Sequence, residues 1–102
     1  MKEYDLFVPL RYNDGSLVSG SIFRRLQTEL LERFGGVTYF PQANHGIWKL
    51  EDVAYHDEIV VYRVLTKDAR DSKVFFRDLK ERLKAELKQE EILIIERDVD
   101  TL

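Results

Sequence analysis

The stretch EIVVYRVLT, which runs from Glu58 to Thr66, decides how the rest of the chain is interpreted. It is dense in β-branched and aromatic side chains, a composition typical of a β-strand. Apolar side chains fall on both alternating faces of this strand, with Ile59 and Val61 on one face and Val60, Tyr62 and Val64 on the other. A strand with one face open to water would instead alternate apolar and polar residues. We therefore expect both faces of its sheet to be covered.

A strand and a helix are predicted before this stretch. YDLFVPL, from Tyr4 to Leu10, alternates with the period of two that a strand requires, and Pro9 suggests an edge position or a strand end because it has no amide hydrogen. Apolar residues then follow a helical period, so we predict a helix that begins at Ser19 or Ser21. Gly35-Gly36 supplies the positive φ that ends this helix.

The remaining elements give the fold class. VTYF, residues 37–40, has strand composition, and a second amphipathic helix is predicted from about Asp71, with Asp71 or Ser72 as its cap. EILIIERDV, residues 91–99, is the last predicted strand. The order strand, helix, strand, strand, helix, strand predicts a single α+β domain over residues 1–102 with the ferredoxin-like βαββαβ arrangement. In that fold, a four-stranded antiparallel sheet carries both helices on one face.

The last predicted strand is also apolar on both faces, since Ile92 and Ile94 alternate with Leu93 and Ile95. No element remains in the chain to cover the second face of the sheet. We therefore expect a homodimer in which a second copy covers that sheet face.

Composition sets limits on the class of function. The chain has 102 residues, 44% of them hydrophobic, which suits one compact domain. The absence of cysteine excludes disulfides, thiolate catalysis and cysteine-ligated metal centres. A net charge of -3 offers no general basic field for nucleic acid. With no apolar run of about 18 residues and no leader-like N-terminus, we expect a cytoplasmic protein that binds neither membrane nor nucleic acid.

The stretch PQANHGIWKLEDVAYHDE, residues 41–58, is the candidate site, because it holds both histidines and the only tryptophan. A two-residue turn at Glu51-Asp52 would place Trp48 opposite Tyr55 as a cross-strand aromatic pair. PQANHG also has the composition of a bulge. A bulge between Pro41 and Gly46 would move the first histidine independently of the tryptophan.

The same register brings two imidazoles and a carboxylate, those of His45, His56 and Glu58, onto the face opposite the aromatic pair. They could bind a divalent metal such as zinc, nickel or iron, or a histidine-glutamate pair could act as acid and base in a pocket floored by Trp48 and Tyr55. The third possibility is that both histidines simply face solvent. We adopt this last interpretation, because two histidines without a tight motif are weak support for a site, and we predict no metal and no cofactor.

Two further places carry candidate ligand-binding groups. RYNDG, residues 11–15, follows the first strand and either holds an anionic ligand at the sheet end or forms a solvated turn whose amide and carboxylate cap their own backbone. Arg63 interrupts an apolar strand, so it is an edge residue, half of an interface ion pair, or a ligand for an anion. The candidate ligand-binding residues are Arg11, Tyr12, Asn13, Trp48, Tyr55 and Arg63.

The segments LVSGSIFRRLQTELLERFGGVT, HGIW and DE together resemble a family of small uncharacterised bacterial proteins. Members of that family pair a valine-serine helix start with a phenylalanine-glycine helix end, a short strand and a glycine-x-tryptophan hairpin. The resemblance covers Leu17–Glu58, where Phe34-Gly35 matches the helix end and Gly46 and Trp48 match the hairpin. We expect no secretory leader, and in this respect the chain departs from the family. The resemblance implies the fold and no particular activity.

Two functions from different classes remain open. The first is a homodimeric binding or assembly module without catalytic activity, which presents the hairpin and the RYNDG loop to a small anionic ligand or a protein partner. The second is a small enzyme of the dimeric α+β-barrel type, in which arginines hold an anion and His45 or His56 moves a proton with Glu58. Exposed histidines beside a filled sheet interface would favour the first, and a closed pocket containing histidine and arginine would favour the second.

Overall fold

The structure, a computed structural model that describes all residues from 1 to 102, contains six elements in the predicted order. They are β1 (Lys2–Pro9), α1 (Gly20–Phe34), β2 (Thr38–Leu50), β3 (Val53–Thr66), α2 (Ala69–Glu86) and β4 (Ile94–Asp98). The strands form one antiparallel sheet in the order β2-β3-β1-β4. This is the ferredoxin-like α+β fold that the sequence predicts.

One face of the sheet packs against both helices and forms the hydrophobic core. The ring of Tyr4 in β1 stacks on the ring of Phe76 in α2, with 4.3 Å between their centroids. The core residues that these elements contribute are Tyr4, Leu6, Val8, Val60, Tyr62 and Val64 from the sheet, Ile22, Leu26 and Leu30 from α1, and Phe76, Leu79 and Leu83 from α2. Each helix therefore buries one stripe, which explains the helical periods in the sequence. Neither helix combines the length and the hydropathy that a membrane crossing requires.

The ends of α1 are those the sequence predicts. At its start, the Ser19 side chain accepts a hydrogen bond from the Ser21 amide. At its end, Gly35 takes a φ of 77°, and its amide donates to the Leu31 carbonyl. A residue with a side chain would be strained in that left-handed conformation, so the glycine defines where the helix stops.

Helix α2 begins earlier than predicted. Its N-cap is Asp68, whose carboxylate accepts a hydrogen bond from the Asp71 amide 3.1 Å away. The prediction of Asp71 or Ser72 as the cap is therefore wrong. The Asp68 amide itself donates to the Thr66 hydroxyl at the end of β3, so the turn from strand to helix is fixed two residues after the strand. Three capping residues close together in sequence made the choice ambiguous.

Strand β4 is shorter than predicted, since it begins at Ile94 and not at residue 91. The Ile92 amide donates to the Glu91 carboxylate at 2.9 Å, so this side chain satisfies a backbone group that a strand would have used for its ladder. Pairing with β1 starts only at Leu93, whose carbonyl accepts a hydrogen bond from the Phe7 amide at 3.0 Å. The side chain of Ile92 is nevertheless buried in the core.

Strands β2 and β3 form a hairpin with the register predicted from a two-residue turn, at which Glu51 has a φ of 57°. A register shift between Phe40 and Asn44 is the bulge. Because the bulge lies before Asn44, the ladder is regular from there to the turn, and His45 and Trp48 keep opposite faces. The cross-strand pairs are His45 with Glu58, Ile47 with His56, Trp48 with Tyr55, and Leu50 with Val53.

The face of the sheet opposite the helices, here called the open face, has no element of the chain packed on it. Its apolar side chains are only partly buried or are exposed, and they are Phe7, Phe40, Ile59, Val61, Leu65, Leu93 and Ile95. Strand β3 and the segment that contains β4 are thus apolar on both faces, as the sequence predicts. Large apolar side chains left exposed together on one sheet face commonly mark an interaction site.

The core assignment predicts the effect of truncating Phe76. We expect Phe76→Ala to lower the free energy of unfolding by roughly 3 to 5 kcal/mol, because it leaves a cavity between α2 and the sheet where two aromatic rings now stack on it. Urea denaturation at equilibrium measures the change. The matched control is Val74→Ala on the exposed side of the same helix, which should change stability by about 0.5 kcal/mol or less. Equal effects of the two substitutions would contradict the assignment.

Candidate functional site

A cluster of charges lies on the open face and is centred on the carboxylate of Asp5. Asp5 in β1 pairs with Arg63 in β3, and the guanidinium donates to both carboxylate oxygens, from Nε at 2.8 Å and from Nη2 at 3.0 Å. Arg97 in β4 donates to the same carboxylate at 2.9 Å. One acid on the central strand therefore joins the strands on both sides of it.

Glu3 completes the cluster, since it lies 2.8 Å from Arg97 and 3.1 Å from Arg63. Two acids and two arginines balance in charge. The acids lie beneath, with side-chain exposures of 4% for Asp5 and 13% for Glu3, whereas Arg63 and Arg97 are 37% and 46% exposed. The cluster consequently presents its guanidinium groups to solvent.

The hydrogen bond between Arg63 and Asp5 shifts the pKa of both groups. The bond from Arg63 lowers the pKa of Asp5, and this effect is larger than the opposing effect of burial. The same bond raises the pKa of Arg63 above its ordinary value. Both groups are therefore held in their charged forms, which is what a partly buried ion pair needs in order to be stable.

An open cavity of about 630 Å³ lies beside this cluster, at the bulge of β2. The bulge displaces residues 41–43 from the ladder, and this leaves a depression between the strand edge and the centre of the open face. The guanidinium of Arg63 lies 5.2 Å from the centroid of the Phe40 ring, a cation–π distance. We call this depression the bulge pocket; its lining residues are Asp5, Phe7, Phe40, Pro41, Gln42, Asn44, Val61 and Arg63.

Of the three roles proposed for Arg63, that of an edge residue is wrong. Strand β3 lies inside the sheet between β2 and β1, so Arg63 has neighbours on both sides. Its carboxylate partners, Asp5 and Glu3, belong to the same chain. These contacts use Nε and Nη2 of the guanidinium and leave Nη1 for another acceptor. The role of anion ligand therefore stays a prediction.

The end of the hairpin, residues 44–57, extends from the sheet and is here called the arm. On the side continuous with the open face, the rings of Trp48 and Tyr55 stack with 4.7 Å between centroids. The indole Nε1 of Trp48 donates to Asp57 at 2.6 Å. The predicted cross-strand aromatic pair is confirmed, and both of its members keep more than 40% of their surface exposed.

His45, His56 and Glu58 lie on the opposite side of the hairpin, as the register predicts. Both histidines are exposed, and Glu58 forms a 3.8 Å contact with Nε of Arg11. No group of three or more acidic or histidine side chains comes close enough together to hold a metal ion. Trp48 and Tyr55 face the other way, so the aromatic pair does not floor a pocket containing these histidines.

The RYNDG loop is held by contacts within the chain. Arg11 donates to the Gly15 carbonyl at 2.9 Å, and the Ser16 amide donates to the Asp14 carboxylate at 2.8 Å, which closes the turn on itself. The side-chain amide of Asn13 donates to the carbonyl of Lys88, just after α2, at 3.4 Å. Tyr12 and Asn13 also border a shallow cavity of about 500 Å³. The structure thus brings Arg11 together with Glu58, and neither residue lines the bulge pocket.

Sequence reasoning missed most of the residues that line the bulge pocket, including Asp5 and Phe40, and it missed Arg97 in the neighbouring charge cluster. The period of two places Asp5 on the face of β1 opposite Tyr4 and Leu6, but nothing in the sequence says which residue of β3 it meets, because a helix and a strand separate β1 from β3. The available signal was a pair of opposite charges, Asp5 and Arg63, each interrupting an otherwise apolar strand. A charged side chain on an apolar strand needs a partner of opposite charge, and Asp5 and Arg63 are each other's partner.

Comparison with known proteins yields similarity in fold. No protein-family model matches the chain. A search of curated proteins also finds no match. Among solved structures, a phage SAM lyase in complex with S-methyl-5'-thioadenosine matches with a TM-score of 0.65 and 17% identity, over 95% of this chain and 80% of that one. CutA1 from Pyrococcus horikoshii matches with a TM-score of 0.62 and 18% identity, over 100% and 86% of the two chains. The PII-like protein CutA from Nostoc matches with a TM-score of 0.59 and 14% identity, over 98% and 82%.

Exposure of the two histidines predicts that they contribute little to folding. The double substitution His45→Ala/His56→Ala should change the free energy of unfolding by about 0.5 kcal/mol or less, because exposed hairpin side chains make few contacts. A thermal melt followed by circular dichroism measures this. A collapse of the melting temperature would mean that the imidazoles are buried and structural.

The charge cluster predicts a pH-dependent contribution to stability. The pKa of Asp5 is lower in the folded chain than in the unfolded chain, so its contribution is present above the unfolded pKa, near 4, and is lost as the pH falls. Asp5→Asn should cost about 2 kcal/mol at pH 7, since it removes hydrogen bonds between charged groups. The difference from wild type should shrink between about pH 5 and pH 2.

Urea denaturation at a series of pH values tests this expectation. The control is Asp78→Asn, which removes an exposed carboxylate from α2. If Asp5→Asn and Asp78→Asn had the same effect at every pH, the Asp5 cluster would contribute nothing to stability.

Proposed function

We propose that the protein is a self-associating binding module without catalytic activity, whose open face is covered by another copy of the chain. The observation that carries this proposal is the open face itself, where partly exposed apolar side chains surround a charge-balanced cluster. Burying the apolar side chains stabilises an assembly in proportion to the area removed from water. Pairing of the charges within the chain lowers the cost of covering them.

A second copy is the occupant that the surface favours. The chain carries helices on one face of the sheet only, and a second sheet face with this apolar content is normally packed against another layer. Most soluble oligomers are built from copies of one chain, so a second copy is the simplest source of such a layer. The apolar pattern of the strands predicts two copies, and sedimentation velocity measures the number directly.

The placement of the histidines supports the non-catalytic function over the enzyme alternative. A histidine-glutamate acid–base pair needs a pocket that positions a substrate against it. His45 and His56 are exposed on one side of the hairpin, whereas the bulge pocket and Arg63 lie on the other side. The enzyme alternative would therefore need a substrate pocket at the histidines, whereas the bulge pocket lies on the other side of the hairpin.

A small anionic ligand in the bulge pocket is the second candidate, and one observation favours it. The pocket volume is in the range of small-molecule sites, and Arg63, whose contacts with Asp5 use Nε and Nη2, is one of the lining residues. The fold is compatible with a small ligand, since the similar phage SAM lyase was solved with S-methyl-5'-thioadenosine. At 17% identity this likeness concerns the fold, and the pocket residues of this chain are the reason to test for a ligand.

Self-association through the open face predicts a contrast between two lysine substitutions. Leu93→Lys places a charge on the open face and should convert the assembly into monomers at concentrations where the wild type is associated, because burying an unpaired ammonium is costly. The control is Val74→Lys on the outer side of α2. Leu93 and Val74 have similar exposures, 51% and 56%, so the two changes differ mainly in the face they occupy.

Sedimentation velocity over a range of concentrations measures the mass of each protein. We expect wild type and Val74→Lys to sediment as the same oligomer and Leu93→Lys to sediment as a monomer. A monomeric wild type would contradict the proposal outright. Dissociation by Val74→Lys, with Leu93→Lys unaffected, would move the interface to the helices.

A further inference from the structure

We propose that the bulge pocket of one copy is filled by the arm of another copy, with Trp48 as the inserted side chain. This inference rests on the proposed self-association and names the contact that carries it. It assigns an occupant to the pocket beside Arg63, and it assigns a function to the only tryptophan in the chain.

The arm cannot reach the pocket of its own chain. Both lie on the same side of the same pair of strands, and the ladder between Asn44 and Leu50 is regular. Trp48 is four residues beyond Asn44, a separation of about 13 Å at roughly 3.3 Å per residue. An extended, hydrogen-bonded ribbon does not fold back over that distance, so only another copy can bring Trp48 to Phe40.

The arm has an apolar surface that needs a cover. Its open-face side carries four large apolar side chains, each between 42% and 53% exposed: Trp48, Leu50, Val53 and Tyr55. A two-stranded ribbon with nothing packed on it is at best marginally stable in water. Packing this side onto another copy would bury the stacked aromatic pair, the kind of side chains that contribute most to protein interfaces.

The pocket is chemically suited to an indole and the acid beside it. Phe7 and Phe40 line the pocket and offer aromatic rings with which an inserted indole can pack. Asp57, which accepts a hydrogen bond from the indole, has a second carboxylate oxygen available. That oxygen can accept a hydrogen bond from Nη1 of Arg63, which the contacts with Asp5 do not use.

Charge complementarity extends beyond this one contact. The arm carries the acids Glu51, Asp52 and Asp57 against the single lysine Lys49, so it is acidic. The cluster beside the pocket presents its arginines outward and its carboxylates inward. An acidic arm and an outward guanidinium surface attract each other, and such attraction selects the register in which two copies meet.

Fluorescence of the wild-type protein tests the inference without any substitution, because Trp48 is the sole tryptophan. In the assembled state we expect blue-shifted emission and a several-fold smaller acrylamide quenching constant than in the Leu93→Lys monomer. The two proteins have the same arm, so a difference reports burial of Trp48 between copies. Equal quenching in an assembled wild type and a monomeric variant would overturn the inference while the proposed function stands.

A matched pair of substitutions tests the direction of the contact. Trp48 and Ile47 are neighbours on opposite sides of the arm, and both are exposed. Trp48→Ala should weaken self-association by roughly 30-fold or more, the effect expected of an interface anchor. Ile47→Ala should leave the dissociation constant within about threefold of wild type, since small changes outside an interface shift free energies by about 0.5 kcal/mol.

The possible outcomes distinguish failure of the proposed function from failure of this inference alone. If wild type is a monomer, both the proposed function and this inference fail. If wild type associates and Leu93→Lys disrupts it, but Trp48→Ala and Ile47→Ala act alike, the open face is an interface and the arm does not enter the pocket. A retained small molecule in an assembly with exposed Trp48 would assign the pocket to that ligand instead.

Discussion

The structure depends on one constraint, which is that β3 lies inside the sheet with apolar side chains on both faces while the chain supplies helices for only one. Val60, Tyr62 and Val64 are buried beneath the helices. Ile59 and Val61 alternate with them and therefore emerge on the open face, because successive side chains of a strand point to opposite sides. The core cannot be formed with this strand unless an apolar surface is left on the other side.

The Asp5 cluster makes that surface compatible with being covered. Arg63 interrupts the apolar side of β3, and a lone guanidinium there would be costly to remove from water. The carboxylates of Asp5 and Glu3 balance the two guanidinium groups of Arg63 and Arg97. The centre of the open face therefore carries no net charge. The same cluster links three strands through side chains. The ion pairs that stabilise the monomer are thus the same ones that lower the cost of covering the open face.

Much of the fold follows from local sequence patterns, and the exceptions have physical causes. The stripe of α1, its end at Gly35 and the register from Glu51 outward are set by neighbours in sequence, and each is confirmed. The start of α2 at Asp68 was missed because several polar residues compete for one cap. The pairing of Asp5 with Arg63 was missed because it is non-local. The bulge was anticipated, but the pocket it creates depends on which side chains of β1 and β3 meet beside it.

Native mass spectrometry of the wild-type protein, purified without a metal-affinity step, tests the central claim most directly. It counts the chains in the assembly and weighs any bound molecule in the same spectrum. Coverage of the open face by another copy predicts an oligomer whose mass is a whole multiple of the chain mass, with no added mass. A monomer at concentrations well above micromolar would contradict the claim.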